Sequence, residues 1–173
     1  YVRSLCVALG VPDERLQVAI DALARLADRG ASGEILWSEP APDALAAIAA
    51  LHRAGVAVLV VTNSDGHAAD NLRDAGICQV GAGRGATVAG VIDSALVGAA
   101  KPDPAIFHAA LRCAGVEAGD AVHVGDTLRA DIDGAANAGI AAVHLDPARA
   151  CRAGDHRHVR SLGGIWRHVA PAR

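Results

Sequence analysis

Residues 56–62 read VAVLVVT, an unbroken run of apolar, mostly β-branched side chains. A strand with one wet face alternates apolar and polar positions, so a run with no polar member before its closing threonine predicts a parallel strand buried on both faces. Three further segments predict strands: GVIDSALVG (90–98), DAVHVGD (120–126) and AAVHLD (141–146). Helix patterns separate them. Asp43 opens DALAAIAALHRAG, which Gly55 closes, and a second helix is expected from about 65 to 75, before Gly76. KPDPAIFHAALRCAG (101–115) has Asp103 at the cap and Pro104 in the first turn, where a missing N–H costs nothing. Further helices are expected over 2–9, 13–29 and 128–138, the second with Leu16, Ile20, Leu23 and Leu26 at helical spacing. Strands alternating with helices at this rhythm predict an α/β fold with an open parallel sheet flanked by helices. QVGAGRGATVAG (79–90) lacks the G-x-G-x-x-G order of a nucleotide fingerprint and is expected to be a flexible loop.

The chain's 173 residues, 52% hydrophobic and 20% charged, suffice for a globular domain with a sizeable core. Only four residues are aromatic, so Ala, Val, Leu and Ile must build that core. A net charge of −3 gives no general case for nucleic-acid binding. Arg outnumbers Lys fifteen to one, which reads as genomic base composition rather than function. Charge is uneven: residues 149–173 carry six basic groups and one acidic group, and read as a solvated, partly frayed basic tail. Cys6, Cys78, Cys113 and Cys151 form no CxxC and are expected to be reduced, buried thiols of a cytoplasmic protein. Cys151, His156, His158 and His168 fit no common zinc spacing. No apolar run reaches the length of a membrane span, and no signal-peptide pattern opens the chain.

Open parallel sheets carry their sites at the carboxyl ends of the strands. That rule selects Thr62 with Asn63, the stretch from Asp93 to Lys101, and the acidic turn of HVGDTLRADIDGA (123–135). At Thr62 a hydroxyl and neighbouring N–H groups precede a helix whose amino end attracts anions. Lys101 adds a permanent cation. Asp126 and Asp131 are hard oxygen donors of the kind Mg²⁺ prefers. Each residue also has an ordinary reading: Thr62 as a helix cap, Lys101 as a solvated surface residue, Asp131 as a helix-face acid and the acidic turn as a pair of solvated helix caps. Together, in this order and at these strand ends, they describe a phosphate site.

VLVVTNSDG, AAKPDPAIF and HVGDTLRADIDGA resemble the second, third and fourth motifs of the haloacid dehalogenase-like hydrolases. The resemblance runs from about Trp37 to Asp146 and is closest to the phosphatase-type branch with an early helical cap. It implies a remainder of that cap over residues 1–36 and the α/β core over 37–173, including the basic tail. It also implies that Thr62 hydrogen-bonds the transferring phosphoryl group, with Asn63 nearby in the substrate site, and that Lys101 neutralises its charge. Asp126 would bind Mg²⁺ and Asp131 would support it. Gly125 would let the backbone turn beside the metal, while Asp133 has no assigned role.

The same resemblance implies something the chain lacks. Family members attack phosphorus with an aspartate of a DxD motif ending the first strand, forming an aspartyl-phosphate that water hydrolyses. Before Thr62 the acids are Asp13, Glu14, Asp21, Asp28, Glu34, Glu39 and Asp43, all in helical or connecting segments. The chain opens on Tyr and contains no Met, so the nucleophile and its strand are expected upstream of residue 1. That strand would lie between the ones ending at Thr62 and Asp126, and residues 1–173 alone are expected to be catalytically silent. The implied partner is a small phosphorylated metabolite, with no nucleic acid or membrane. Two alternatives are a 2-haloacid dehalogenase, which needs no metal-binding acidic turn, and a non-catalytic binding protein of the same fold.

Overall fold

Helix α1 (Asp13–Ala31) opens the described part of a computed structural model that covers residues 12–31 and 40–169. The chain divides into two units, Tyr1–Glu39 and Pro40–Arg173. In the first, Asp13 and Glu14 set negative charge at the amino end of α1, where the helix dipole favours it. Leu16 is buried and Ile20 half-buried, following the expected stripe. The helix expected over 2–9, and the side chains of Leu23 and Leu26, lie outside the described residues.

The second unit holds seven described strands: β1 (Leu59–Thr62), β2 (Cys78–Val80), β3 (Ala86–Val88), β4 (Gly90–Asp93), β5 (Val122–Gly125), β6 (Ala141–Leu145) and β7 (Arg157–Val159). All pairings are parallel: β1 with β4, β2 with β3, and β5-β6-β7 in that order. The described α-helices of this unit are α2 (Ala44–Arg53), α3 (Ala68–Asp74), α4 (Ser94–Val97), α5 (Pro104–Ala114), α6 (Gly134–Asn137) and α7 (Trp166–Val169). Helix α5 starts as its sequence predicts, with the Asp103 carboxylate accepting the Ala105 N–H at 2.9 Å and Gly115 closing it in the left-handed region. Among the described residues, no helix is long and apolar enough to cross a membrane.

Several expectations need correction. Only the last four residues of VAVLVVT form a strand, and all four are half-buried rather than buried. The reason is local: among the described residues β1 has β4 on one edge and no strand on the other. The glycine-rich stretch is not a loose loop. The Gln79 side chain accepts the Gly85 N–H at 2.9 Å and donates to the Gly85 carbonyl at 3.0 Å, holding β2 and β3 in register. Nor do residues 157–165 fray, since Val159 and Ile165 are buried with Val143 in a small core of their own. Asp43 stands at the N-cap of α2 without capping it, its carboxylate accepting the Gly163 N–H at 2.7 Å instead. Cys78 is buried, but Cys113 is exposed and Cys151 half-buried, all three as free thiols.

The main core gathers on α5. Ile106 and Phe107 are almost fully enclosed among Ile92, Ala135, Ala138 and Ile140, with Leu59 and Val61 of β1 and Ala142 of β6 packed against them. Phe107 is the chain's only Phe and also meets the His123 ring edge-on, with centroids 5.0 Å apart. β1 and β5 are not paired to each other. A cavity of about 580 Å³ is lined from one side by Leu59 and Val61 and from the other by Val122 and His123, with Phe107 and Leu111 among its remaining walls.

Candidate active site

The three places chosen from the sequence are joined by hydrogen bonds. Thr62 ends β1 opposite Asp93, which ends β4. Asp93 is buried and acts as a clamp: its carboxylate accepts the N–H groups of Gly66 (3.1 Å), Ala68 (3.2 Å) and Ala95 (3.0 Å). It thereby fixes the turn after Thr62 and the start of α3. The Ser94 hydroxyl adds to the clamp, accepting the Ser64 N–H at 2.9 Å and donating to the Ser64 carbonyl at 3.0 Å. Asn63 spends its amide on the backbone of Lys101. Its Oδ1 accepts the Lys101 N–H at 2.7 Å, and its Nδ2 donates to the Lys101 carbonyl at 3.0 Å.

From that anchored position Lys101 Nζ donates to Asp131 Oδ1 at 2.7 Å, with the lysine side chain 14% and the aspartate 4% exposed. His123 Nε2 donates to the same oxygen at 2.9 Å, and Thr127 N–H donates to Oδ2 at 3.0 Å. Burial pushes the Asp131 carboxyl up, but the hydrogen bonds from His123 and Lys101, the lysine charge and the Thr127 N–H together hold it well below the usual carboxylate range. Asp131 is thus an anion held between donors, and it fixes where the ammonium of Lys101 stands.

The backbone makes room for this. Residues Leu128–Asp133 form a π-helical turn, in which the Thr127 carbonyl accepts from both Asp131 N–H (2.8 Å) and Ile132 N–H (3.4 Å) before α6 continues. The 128–138 helix expected from the sequence is therefore wide at its start, a distortion frequent at functional sites. A side chain at Gly125 would collide with the Asp131 carboxylate, so glycine is required there by close approach. Asp126 follows, exposed, with the Thr127 hydroxyl donating to its Oδ1 at 3.3 Å. Its lightly engaged oxygens leave a hard donor facing water, a set suited to Mg²⁺. Asp133 is exposed and makes no side-chain cap.

Sequence reasoning passed over His123 and Asp93 as individuals. The signal was present for both: a lone polar ring inside an apolar strand, and an acid at a strand end followed by Ser94.

A family model described as haloacid dehalogenase-like hydrolase matches residues 10–139. The phosphoserine phosphatase of Thermus thermophilus is 38% identical over 105 residues, 61% of this chain and 40% of that protein. Human N-acylneuraminate-9-phosphatase is 36% identical over 94 residues, 52% of this chain and 34% of that protein. The alignments therefore span well under half the length of these curated relatives. Among solved structures, a HAD phosphatase from Thermococcus onnurineus superposes with a TM-score of 0.67 at 21% identity, covering 99% of this chain and 88% of the other. At that identity the likeness speaks for the fold.

Proposed function

The chain belongs to the haloacid dehalogenase-like hydrolases, and on that premise we propose that it supplies the supporting half of a Mg²⁺-dependent phosphatase acting on a small phosphomonoester. The observation that carries this reading is the hydrogen-bonded path from Asn63 through Lys101 to Asp131 and Thr127, which runs beside the exposed Asp126. Phosphatase relatives, with their small phosphorylated substrates, support the same class.

In this reading the Thr62 hydroxyl binds a phosphoryl oxygen, while the N–H groups of Ser64, Gly66 and Ala68, held by Ser94 and Asp93, fix the turn that presents it. Lys101 sets one positive charge against them, and Asp131 holds that charge in place at no entropic cost during turnover. Asp126 would hold Mg²⁺, with Asp131 as its support, and the ion would neutralise further phosphoryl charge. Asn63 keeps the Lys101 segment in register with the end of β1. Of the carboxylates here, Asp131 is held by its donors and Asp126 is given to the metal, which leaves neither to attack phosphorus. The attacking aspartate is therefore assigned to a strand upstream of residue 1, which would form the aspartyl-phosphate and seat between β1 and β5. The edges of those strands that meet no strand among the described residues, and the cavity between them, support that position. The remainder of the helical cap is assigned to residues 1–36, within the unit Tyr1–Glu39.

The test uses the full-length protein. Phosphate release is measured on an aryl phosphate, phosphoserine and N-acylneuraminate 9-phosphate, with and without Mg²⁺, beside halide release from a 2-chloro acid. Mg²⁺-dependent phosphate release that falls at least about 100-fold in Asp126→Asn is expected, the scale of losing one charge-stabilising group. Halide release without Mg²⁺ would transfer the protein to the dehalogenase reading. Steady turnover by residues 1–173 alone would remove the upstream nucleophile.

A further inference from the structure

Away from the acidic turn, β6 and β7 bring a second set of donors together. His144 lies on β6, only 6% exposed, and is paired in register with His158 on β7. The connection between the strands returns Cys151 and His156 to the same place. Asp146 shapes that connection, its carboxylate accepting the Ala150 N–H at 2.9 Å and the Cys151 N–H at 3.0 Å. One nitrogen from each of the three histidines and the cysteine sulfur all lie within 4.8 Å of one another. His144 Nδ1 and His156 Nε2 are 3.2 Å apart, and Cys151 Sγ is 3.7 Å from His156 Nε2. A tetrahedral zinc ion with ordinary bond lengths sets its ligands about 3.3 Å apart for two nitrogens and about 3.6 Å for nitrogen and sulfur.

The proton positions make the cluster a ligand set rather than a hydrogen-bonded knot. His144 Nε2 faces the Asp126 carbonyl at 3.1 Å, His156 Nδ1 faces Asp155 Oδ1 at 2.7 Å, and His158 Nε2 faces the Ala153 carbonyl at 3.2 Å. Carbonyl and carboxylate oxygens only accept, so each of these outward nitrogens carries the ring proton. In neutral rings the opposite nitrogens, His144 Nδ1, His156 Nε2 and His158 Nδ1, are lone pairs, the last with the Asp146 carboxylate 3.8 Å away. With neutral rings the 3.2 Å contact between His144 and His156 holds no proton at all, and two lone pairs face each other. A cation between them turns this repulsion into coordination. Outward N–H groups fixed on carbonyls and a carboxylate are the arrangement that orients metal-bound histidines.

We propose that His144, Cys151, His156 and His158 form a structural zinc site. Three imidazoles and a thiolate suit Zn²⁺, and four protein ligands leave no open position, so the site braces the fold and performs no chemistry. Cys151 loses its thiol proton to solvent on binding. Spacing within residues 149–173 does not disclose the site, because the fourth ligand, His144, comes from the strand before the loop and not from His168 after it. His168 lines the cavity between β1 and β5 instead. The brace reaches the acidic turn through one hydrogen bond, from His144 Nε2 to the backbone carbonyl of Asp126.

The experiment uses untagged full-length protein. Zinc bound per chain is measured after dialysis, and Co²⁺ is titrated into metal-free protein while the visible and near-ultraviolet spectra are followed. One equivalent of zinc is expected, with tetrahedral Co²⁺ bands and a thiolate-to-cobalt charge-transfer band. Cys151→Ser should abolish that band, and His156→Ala should weaken zinc binding at least about 100-fold, beyond the usual effect of losing an outer partner. Cys113→Ser, which removes an exposed thiol on α5, should change neither. The wild-type Co²⁺ spectrum decides the matter even where a variant fails to fold. An octahedral spectrum without a thiolate band would overturn the site. So would substoichiometric zinc at saturation, or zinc binding of wild-type strength in His156→Ala. A Mg²⁺ site built from Asp126 can produce no thiolate band, so this outcome is independent of the proposed phosphatase.

Discussion

Asp131 sits at the meeting point of three donors, and its energetics follow from that position. Its folded carboxyl titrates well below its unfolded value, so the unfolded chain binds the extra proton as pH falls. The stabilisation it provides is therefore complete above the unfolded value near 4, and is lost as pH falls from there toward the lower folded value. Asp131→Asn should cost about 3–5 kcal/mol at neutral pH, because it leaves Lys101 without its buried partner. The gap between variant and wild type should narrow below about pH 4, because the unfolded wild-type chain takes up a proton there that the folded carboxylate does not. Urea unfolding across about pH 2.5–7, from full stabilisation into its decline, measures both. A constant gap would mean that the ion pair is not what Asp131 contributes. The acidic spacing was legible because the residues themselves carry it. The role of Asp131 as holder of Lys101 was not, since it depends on a π-helical turn that no periodicity marks. His123 was hidden for a similar reason: a polar ring in an apolar strand has meaning only once its neighbour across the turn is known.

At the scale of elements, the strand rhythm and the α5 cap were readable from apolar runs and from Asp103-Pro104, which act locally. Burial was not, because it depends on partners distant in sequence. VAVLVVT reads as a fully buried strand, yet β1 is half-buried since one edge meets no described strand. QVGAGRGATVAG reads as a loop from its glycines, yet the Gln79 side chain supplies bonds that keep β2 and β3 paired. Hydrogen exchange tests the open edge directly. In residues 1–173 alone, the β1 and β5 amides that face the cavity should exchange far faster than those bonded to β4 and β6. In the full-length protein the difference should vanish. Equal protection in both forms would show that no strand is added between them.

For the whole second unit, the segment after Asp146 is a structural member despite its basic composition. β7 extends the parallel sheet, Val159 and Ile165 enclose Val143, and the Gly163 N–H binds the Asp43 carboxylate near the start of the unit. Composition could not disclose this, because six arginines mask a few well-placed apolar residues. Ile165→Ala should lower stability by about 2–4 kcal/mol, the range for emptying a packed aliphatic site. Thermal unfolding of the variant checks it, and an unchanged midpoint would return the segment to the status of a solvated tail.

Lys101 is the only lysine in these 173 residues, and it stands 14% exposed against Asp131. Residues 1–173 therefore offer amine-selective reagents a single side-chain amine, and it lies in the candidate site. An amine-reactive ester should modify it slowly in the native protein and rapidly in Asp131→Asn, read as one mass increment on the peptide containing AAKPDPAIF. A phosphate analogue bound beside the ammonium should slow the labelling further. Ligand occupancy then becomes measurable by mass spectrometry, before any substrate is known and without any turnover.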